Sequence, residues 1–346
     1  MAAKAWGQQQ KPVEEMFFRN DAVSVCMMMN RRAKTMRVID FRAGPSDAKR
    51  MFVLSIAQRE GVEKIYTLVE RDEVNTWVRL GFAREGNIPG FYKRSDAFLL
   101  GCNVHTAQEA AQRQQRTSEM RIALRPNVTD DTYAIHANDD LSDDIDPEEE
   151  ASPIDTRAQD LAERTIAQAK KRAKDAKDSP AKAIPSVKVA ITEIKESDTK
   201  KPLAAALKAG TALTAFEPFG RDAERRYYSV TSKYKSTPYE LIVSTESQAC
   251  FGNAYVEMLT APKTDAEKIC IVSAVRALCE KLLAADVVGC FALAPSDDLA
   301  LATAFVMNGF RRTGLLINHI SIGTGPGATR KDAILWSRKL TNPADG

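Results

Sequence analysis

The sequence has few of the residues that build metal and nucleophilic sites. Its 346 residues include three histidines, and its six cysteines show no CxxC pair or other metal-ligand spacing. Serine, histidine, aspartate and cysteine residues also form no recognisable catalytic set. We therefore expect no metal site, and we expect the cysteines to pack as small apolar side chains.

Long hydrophobic runs and a large charge excess are missing as well. Residues 2–11 are polar and rich in glutamine, and no apolar run near them has the length of a signal peptide or a membrane span. The formal net charge of +3 is too small to indicate binding to nucleic acid or a membrane surface. These features predict a cytoplasmic protein with reduced thiols.

Composition divides the chain into a disordered tail, a first module, a charged linker and a second module, at residues 1–16, 17–102, 103–185 and 186–341. Within the linker, residues 130–150 contain many Asp and Glu and no Lys or Arg, which is typical of disorder. Residues 156–178 are rich in Ala, Lys and Arg and predict a helix. That helix is either a solvated spacer or a contact for a protein partner. The acidic block could fold back on it or recruit a basic partner.

The second module contains alternating strand and helix patterns. The predicted order is strand, helix, strand, helix and hairpin, at Gly252–Thr260, Glu267–Ala285, Val287–Ala294, Leu299–Met307, and Arg311–Ile322 with Thr329–Lys339. A strand–helix–strand unit implies a right-handed crossover and a parallel strand pair. Upstream, the patterns predict an edge strand at Val187–Ile194, a helix over Lys201–Lys208 capped by Asp198, and a helical piece at Asp222–Ser229.

The first module repeats part of this pattern in a shorter form. Asp40 precedes a proline by five residues, as Glu257 does, and Gly81-Phe82 matches Gly309-Phe310. We expect the first module to be incomplete. Its sheet edge should therefore pack against the second module.

This order of elements resembles the GNAT superfamily of acyl-CoA-dependent N-acetyltransferases and, within it, bacterial β-lysine N-acetyltransferases. The residues that carry the resemblance are Gly81–Phe91 with Asp96-Ala97 in the first module, and Phe216–Phe219, Ala304–Arg311, Leu315–Asn318 and Trp336 in the second. The resemblance covers the two modules but not the charged linker. It implies a mixed α/β (α+β) fold with a splayed sheet flanked by helices, preceded by an incomplete half-module of the same kind.

The resemblance also implies an acetyl-CoA site in a V-shaped opening between the two parallel strands of the second module. The pantetheine arm would pair with the strand near Leu259 and Ala261. The pyrophosphate would rest on the following loop and helix start, near Lys263, Thr264 and Lys268. Backbone N–H groups at a helix start form an anion site.

Glu257 is the catalytic candidate. It falls on the strand before this loop, where the resemblance implies an acid that deprotonates the substrate amine through water. The alternative is that Glu257 points out of the sheet into solvent. Asp40 is its counterpart in the first module, which is too short for a complete site.

Two departures from the family pattern bear on activity. The family loop follows a Gln/Arg-x-x-Gly-x-Gly/Ala pattern, but Pro262–Lys268 contains no glycine and places Asp265 and Glu267 near the diphosphate position. The tyrosine that protonates the leaving thiolate in many members is replaced by Phe305, and by Trp77 in the first module. Phenylalanine and tryptophan cannot serve as this acid.

Two functions remain open from the sequence. One is a degenerate acetyltransferase fold that serves as a binding or scaffolding module with weak or no acetyl-CoA turnover. The alternative is an active enzyme that acetylates a small amine such as an amino acid. The loop at Pro262–Lys268 distinguishes them. N–H groups that converge on a concavity favour the enzyme, and acidic side chains that fill the loop favour the binding module.

Overall fold

The computed structural model describes residues 14–19, 21, 23–31, 34–40, 46–92, 95–105, 107, 156–213, 223–235, 237–247, 253–322 and 329–340. The predicted acidic block, the tail up to residue 13, Phe216–Phe219 and the turn at 323–327 lie outside these residues.

Thirteen strands of the described residues form one continuous sheet. In chain order the strands are β1 (Glu14–Arg19), β2 (Ser24–Asn30), β3 (Thr35–Asp40), β4 (Lys64–Val69), β5 (Ala83–Tyr92), β6 (Ser95–Asn103), β7 (Val189–Ile194), β8 (Glu224–Tyr234), β9 (Thr237–Ser247), β10 (Asn253–Met258), β11 (Gly289–Pro295), β12 (Arg311–Ile322) and β13 (Thr329–Lys339). Their spatial order is β1-β2-β3-β4-β6-β5-β12-β13-β11-β10-β9-β8-β7.

Helices flank this sheet, as the predicted mixed α/β fold requires. They are α1 (Asp47–Arg59), α2 (Val74–Arg79), α3 (Thr156–Asp178), α4 (Glu196–Ala209), α5 (Asp265–Leu283) and α6 (Leu299–Met307), with 3-10 turns at Arg71–Glu73 and Pro180–Lys182. Among the described residues, none of the helices combines the length and apolar character needed to cross a bilayer.

Each module contains one parallel strand pair that separates at one end. Strand β3 pairs with β4 from Thr35 to Val38, and β10 pairs with β11 from Asn253 to Val256. Beyond Val256, the β10 residues continue to pair with β9 but not with β11. The sheet therefore opens between β10 and β11, where the sequence resemblance places its V-shaped opening.

The hairpins β5–β6 and β12–β13 share their irregularities. The register shifts after Arg84 in one hairpin and after Arg312 in the other. A second shift follows Ile88 and Leu316. Such bulges bend a strand, so both hairpins bend at corresponding positions.

The two modules meet where these hairpins adjoin. Gly86 on β5 pairs with Gly314 on β12, the corresponding residue of the other hairpin. A Cβ on Gly86 would lie 2.9 Å from the Gly314 Cα, and a Cβ on Gly314 would lie 2.6 Å from the Gly86 Cα. Only glycine allows the two backbones to approach this closely.

Three large apolar cores stabilise the sheet. One packs α1 on the first module, and a second packs α5 and α6 on the second module. The third includes Tyr66 and Phe91 from the first module and Tyr255 and Phe291 from the second. Because successive strand residues alternate faces, this shared core lies on the face opposite α1 and α5.

Two predictions upstream of β10 are wrong. The predicted helical piece at Asp222–Ser229 is not helical from residue 224 onwards, because Glu224–Tyr234 forms strand β8, which is rich in tyrosine and pairs with both β7 and β9. Asp198 does not occupy the cap position of α4. It lies in the first turn, and its carboxylate accepts a hydrogen bond from the Lys195 N–H at 3.3 Å.

Helix α3 has the predicted bounds, but the interpretation as a solvated spacer is wrong. Ala162, Ile166 and Ala169 are buried in the core that also contains α6. These residues recur at three- and four-residue spacing and form a narrow stripe, which allows close packing despite the low apolar content. The helix therefore packs with the second module, and the remaining domain limits stay predictions.

Candidate functional site

A cavity of about 490 Å³ lies at the mouth of the opening between β10 and β11. Its apolar wall includes Leu213, Pro262, Pro295 and Leu299, and its rim carries the cations Arg172, Lys263, Lys268 and Lys331. Arg172 comes from α3, outside the acetyltransferase-like pattern. The starts of both α5 and α6 reach this cavity.

The strand edge beside the cavity is already paired. The carbonyl of Leu259 accepts a hydrogen bond from the Leu213 N–H at 3.1 Å, and the Ala261 N–H donates to the Thr211 carbonyl at 2.7 Å. Ala212 forms an antiparallel bridge with Thr260 between them. The chain segment 211–213 thus holds the backbone groups that the resemblance assigns to the pantetheine arm.

The loop after β10 is capped by its own carboxylate. Oε2 of Glu267 accepts hydrogen bonds from the N–H groups of Lys263 at 2.5 Å and Thr264 at 3.0 Å. The Thr264 hydroxyl accepts a hydrogen bond from the Glu267 N–H at 3.2 Å, which completes a capping box. Because an acidic side chain fills the anion position, the loop has the form expected of the binding module.

The two predicted lysines of the loop also have partners. Lys268 Nζ lies 3.1 Å from a carboxylate oxygen of Asp265, and Lys263 Nζ donates to the Ala209 carbonyl at 3.4 Å. Of the five predicted cofactor-binding residues, Ala261, Lys263 and Lys268 line the cavity, and Leu259 and Thr264 lie within two residues of these in the chain. The N–H groups of Lys263 and Thr264, the Leu259 carbonyl and the Ala261 N–H, however, already have partners within the chain.

Glu257 is buried on the face of β10 opposite α5. Only 1% of its side chain is exposed, so the alternative of a solvated Glu257 is wrong. The Arg225 guanidinium forms a short ion pair with Oε2, and the Ser244 hydroxyl donates to the same oxygen at 2.9 Å. Both donors bind the same one of the two carboxylate oxygens.

Arg225 remains charged in this buried position. Burial alone would lower its pKa, but the negative charges of Glu257 and Glu246 raise the pKa above its ordinary value. Because the sequence pattern predicted a helix at Asp222–Ser229, it did not identify Arg225 as a partner of Glu257. Its strand is identifiable from Arg226-Tyr-Tyr-Ser-Val230, where tyrosine and valine favour a strand.

The first module does not reproduce Glu257. Val38 and Val256 occupy corresponding ends of the two parallel pairings, so the register places Ile39 at the position of Glu257. The prediction that Asp40 is the counterpart is therefore wrong by one residue. The spacing to the following proline is equal in the two modules, but strand register, not loop length, decides which face a residue occupies.

The positions of the missing tyrosine are packed core positions. Phe305 is fully buried and contacts Phe310 with ring centroids 4.9 Å apart. Trp77 and Phe82 form the corresponding contact, also at 4.9 Å. Neither position supplies a proton donor for a leaving thiolate.

The start of α6 is capped in the same manner as that of α5. The Asp298 carboxylate accepts hydrogen bonds from the N–H groups of Ala300 at 3.0 Å and Leu301 at 2.9 Å. Burial raises the pKa of Asp298, while these hydrogen bonds oppose that shift. Within the described part of the chain, no cluster of His, Cys, Asp and Glu could hold a metal ion.

Comparisons with known proteins find matches among solved structures. No family model matches the sequence, and no curated protein matches it. Spermidine N-acetyltransferase from Vibrio cholerae, solved with CoA and spermine, matches at 10% identity over 44% of this chain and 95% of that chain, with a TM-score of 0.33. The ribosomal-protein-S18-alanine N-acetyltransferase from Escherichia coli matches at 12% identity over 46% and 98%, with a TM-score of 0.31. The ribosomal-protein-S5-alanine acetyltransferase from Vibrio fischeri matches at 16% identity over 44% and 94%, with a TM-score of 0.33. Likenesses at this level say nothing about activity or substrate.

Proposed function

We propose that this protein is a binding module of acetyltransferase-like fold in which the chain's own groups fill the acetyl-CoA site. The observation that carries the proposal is the Glu267 carboxylate on the N–H groups of Lys263 and Thr264. A diphosphate would have to displace a carboxylate that already satisfies these donors. It would also meet that carboxylate's negative charge.

The segment 211–213 supports the same conclusion. A pantetheine arm binds through its amides, which need backbone partners along β10. Here the Leu259 carbonyl and the Ala261 N–H already bond to this segment. Binding of acetyl-CoA would therefore require the segment to leave the strand, at the cost of two backbone hydrogen bonds in a largely buried place.

An active acetyltransferase is the alternative function. The observation in its favour is the position of Glu257, buried on β10 next to the residues where the sheet opens. To act as a base, Glu257 would have to accept a proton while Arg225 and Ser244 remain bound to its Oε2. This enzyme would act on a small amine, with β-lysine as the compound that the sequence resemblance suggests first.

An assay of thiol release from acetyl-CoA distinguishes the two functions. The full chain would be incubated with acetyl-CoA and, in separate reactions, with β-lysine, lysine and spermidine. We expect thiol release no faster than in reactions without protein. Amine-dependent release that disappears in a folded Glu257→Gln variant would establish the enzyme instead.

The remaining sequence predictions stay proposals. We propose a cytoplasmic protein that contacts a basic protein partner through the acidic block at residues 130–150. The closely spaced carboxylates of this block attract cationic groups at long range. Such binding should weaken as ionic strength rises.

A further inference from the structure

The cavity at the mouth of the opening holds one cation that the acetyltransferase-like pattern does not supply. Arg172 lines this cavity from the last two turns of α3. The helix is held in place by Ile166 and Ala169, which are buried in the core of the second module. Because Arg172 follows Ala169 by three residues, its backbone is fixed beside the cavity by a packed helix.

Arg172 has no carboxylate partner among the described residues. The ion pairs that α3 forms there join Glu163 to Arg312 and Asp175 to Lys182. Neither pair involves Arg172, whose side chain is exposed at the cavity. A guanidinium presents its N–H donors in a planar fork that matches a carboxylate or a phosphate. Arg172 can therefore bind an external anion through two hydrogen bonds.

The carboxylates that line the cavity are engaged by other groups. A carboxylate oxygen of Asp297 lies 2.5 Å from Lys331 Nζ, and Asp298 accepts hydrogen bonds from N–H groups at the start of α6. Among the charged residues that line the cavity, four are Lys or Arg and two are Asp, which leaves an excess of two positive charges. This excess attracts anions to the cavity. Because carboxylates of the chain already hold the N–H groups at both helix starts, an anion would bind to the side-chain cations.

The remaining wall of the cavity is apolar. It is formed by side chains from five places in the fold, namely Leu213, Pro262, Pro295, Leu299 and Ile322. The volume of about 490 Å³ lies within the range of about 300–1,000 Å³ that is usual for small-molecule sites. Apolar walls with a few convergent charged groups are typical of such sites. The cavity therefore suits a compact ligand with an apolar body and one anionic group.

We propose that this cavity binds a small organic anion, a phosphate or carboxylate on a compact apolar body, with Arg172 as the group that binds the charge. The apolar body would lie against Leu213 and Leu299. This inference rests on the proposed function, because the cavity is open to such a ligand only while acetyl-CoA does not occupy it. It gives the binding module a class of ligand and gives α3 a part in recognising it.

Isothermal titration into the purified full chain tests the proposal. The probes are phenyl phosphate and benzoate, and the tighter of the two identifies the preferred anionic group. We expect a dissociation constant on the order of 1 mM or below for the tighter probe. Inorganic phosphate and benzyl alcohol each lack one half of the ligand and should bind at least about tenfold more weakly. No binding of either aromatic anion, or equal affinity for inorganic phosphate, would overturn the proposal.

Two charge-matched variants test the role of Arg172. Arg172→Gln should weaken binding of the tighter probe about tenfold or more, because it removes the charge-assisted hydrogen bonds. Arg164→Gln removes the same charge from an exposed position of α3 outside the cavity, so the affinity should stay within about twofold. Arg172→Lys should restore part of the affinity, since lysine keeps the charge but lacks the planar fork. Equal affinities for the two glutamine variants would overturn the proposal.

A measurement on the wild-type protein decides the role of Arg172 even if a variant fails to fold. Phenylglyoxal modifies exposed arginine side chains, and peptide mapping by mass spectrometry locates each modified residue. The bound probe should slow the modification of Arg172 and leave that of Arg164 unchanged. Equal modification of Arg172 with and without the probe would contradict its contact with the ligand.

A parallel titration with acetyl-CoA separates this inference from the proposed function. Micromolar binding of acetyl-CoA would overturn the proposed function and this inference together. No binding of acetyl-CoA and no binding of the aromatic anions would overturn this inference alone. The expected result is binding of an aromatic anion without binding of acetyl-CoA.

Discussion

At the scale of single residues, the Glu267 carboxylate lies where the start of α5 could otherwise bind an anion. Its carboxylate replaces the anion that a helix start can hold, and it stabilises α5 in doing so. The same side chain therefore contributes to folding and, under the proposed function, also occupies the anion site. These two effects can be separated by substitution.

The variant Glu267→Ala tests the stabilising effect. Without the carboxylate the N–H groups of Lys263 and Thr264 lose their partner, so we expect the free energy of unfolding to fall by about 1 kcal/mol. Urea denaturation measures this change. Glu280→Ala, an exposed substitution on the same helix, should change it by less than about 0.5 kcal/mol. Equal effects of the two substitutions would contradict the role of the cap.

The variant His319→Phe tests a buried histidine. Burial, with the charges of Lys64 and Arg330, holds the pKa of His319 well below its usual range. Between that lowered pKa and the unfolded value near 6.5, the unfolded chain binds a proton that the folded chain does not. The stability is therefore present above pH 6.5 and is lost as the pH falls below it, with a slope of about 1.4 kcal/mol per pH unit.

We expect His319→Phe to remove this slope, because phenylalanine does not titrate. The fold should accept the substitution, because Phe91 occupies the corresponding position of the other hairpin. Urea denaturation between pH 7.5 and 5 compares the two proteins, and Glu85, whose pKa is raised by burial, is present in both. His105→Gln, an exposed change, should keep the wild-type slope. An equal slope in His319→Phe would show that the histidine is not held neutral.

Side-chain contacts between residues that are close in the sequence were predictable. Thr264-Asp-Ala-Glu267 is a capping-box pattern that the sequence shows directly, because its partners are three residues apart. The pair of Arg225 and Glu257 was not predictable, because strand pairing, not sequence proximity, brings the residues together. The buried charge of Glu257 depends on that long-range contact.

At the scale of elements, α3 shows how an alanine-rich helix can pack. Its composition is compatible with a solvated spacer or a contact for a protein partner, yet Ile166 lies in the core that includes α6. The low overall apolar content conceals this face, although Ala162, Ile166 and Ala169 recur at three- and four-residue spacing on one side of the helix. Whether this face of α3 is buried therefore depends on the presence of a matching surface, which the core around α6 supplies.

The variant Ile166→Ala tests this packing. It should lower the free energy of unfolding by about 2–4 kcal/mol, because it leaves a cavity in the core. Leu161→Ala is the matched control, since Leu161 lies on the same helix with 43% of its surface exposed. We expect a change below about 1 kcal/mol for the control. A solvated helix would instead give small changes for both.

At the scale of the whole molecule, one sheet unites the two modules through the contact of Gly86 with Gly314. The sequence predicted that the sheet edge of the first module packs against the second module. It did not identify the pairing, since no local pattern marks two glycines that face each other. The matching bends of the two hairpins bring equivalent residues to this contact.

The variant Gly86→Ala tests the contact between the modules. The added methyl group would lie 2.9 Å from the Gly314 Cα, and backbone atoms on both sides cannot move apart without shifting the sheet. We expect a loss of about 3 kcal/mol in thermal or urea unfolding. Ala83→Ser, an exposed change on the same strand, should be nearly neutral. A neutral Gly86→Ala would contradict the close backbone approach.

Isothermal titration of acetyl-CoA into the purified full chain is the most direct test of the central claim. The account predicts no binding heat at millimolar acetyl-CoA, because Glu267 and the segment 211–213 hold the groups that the cofactor needs. Binding with a micromolar dissociation constant, about −8 kcal/mol, would contradict it and would show that the cap and the segment give way to the cofactor.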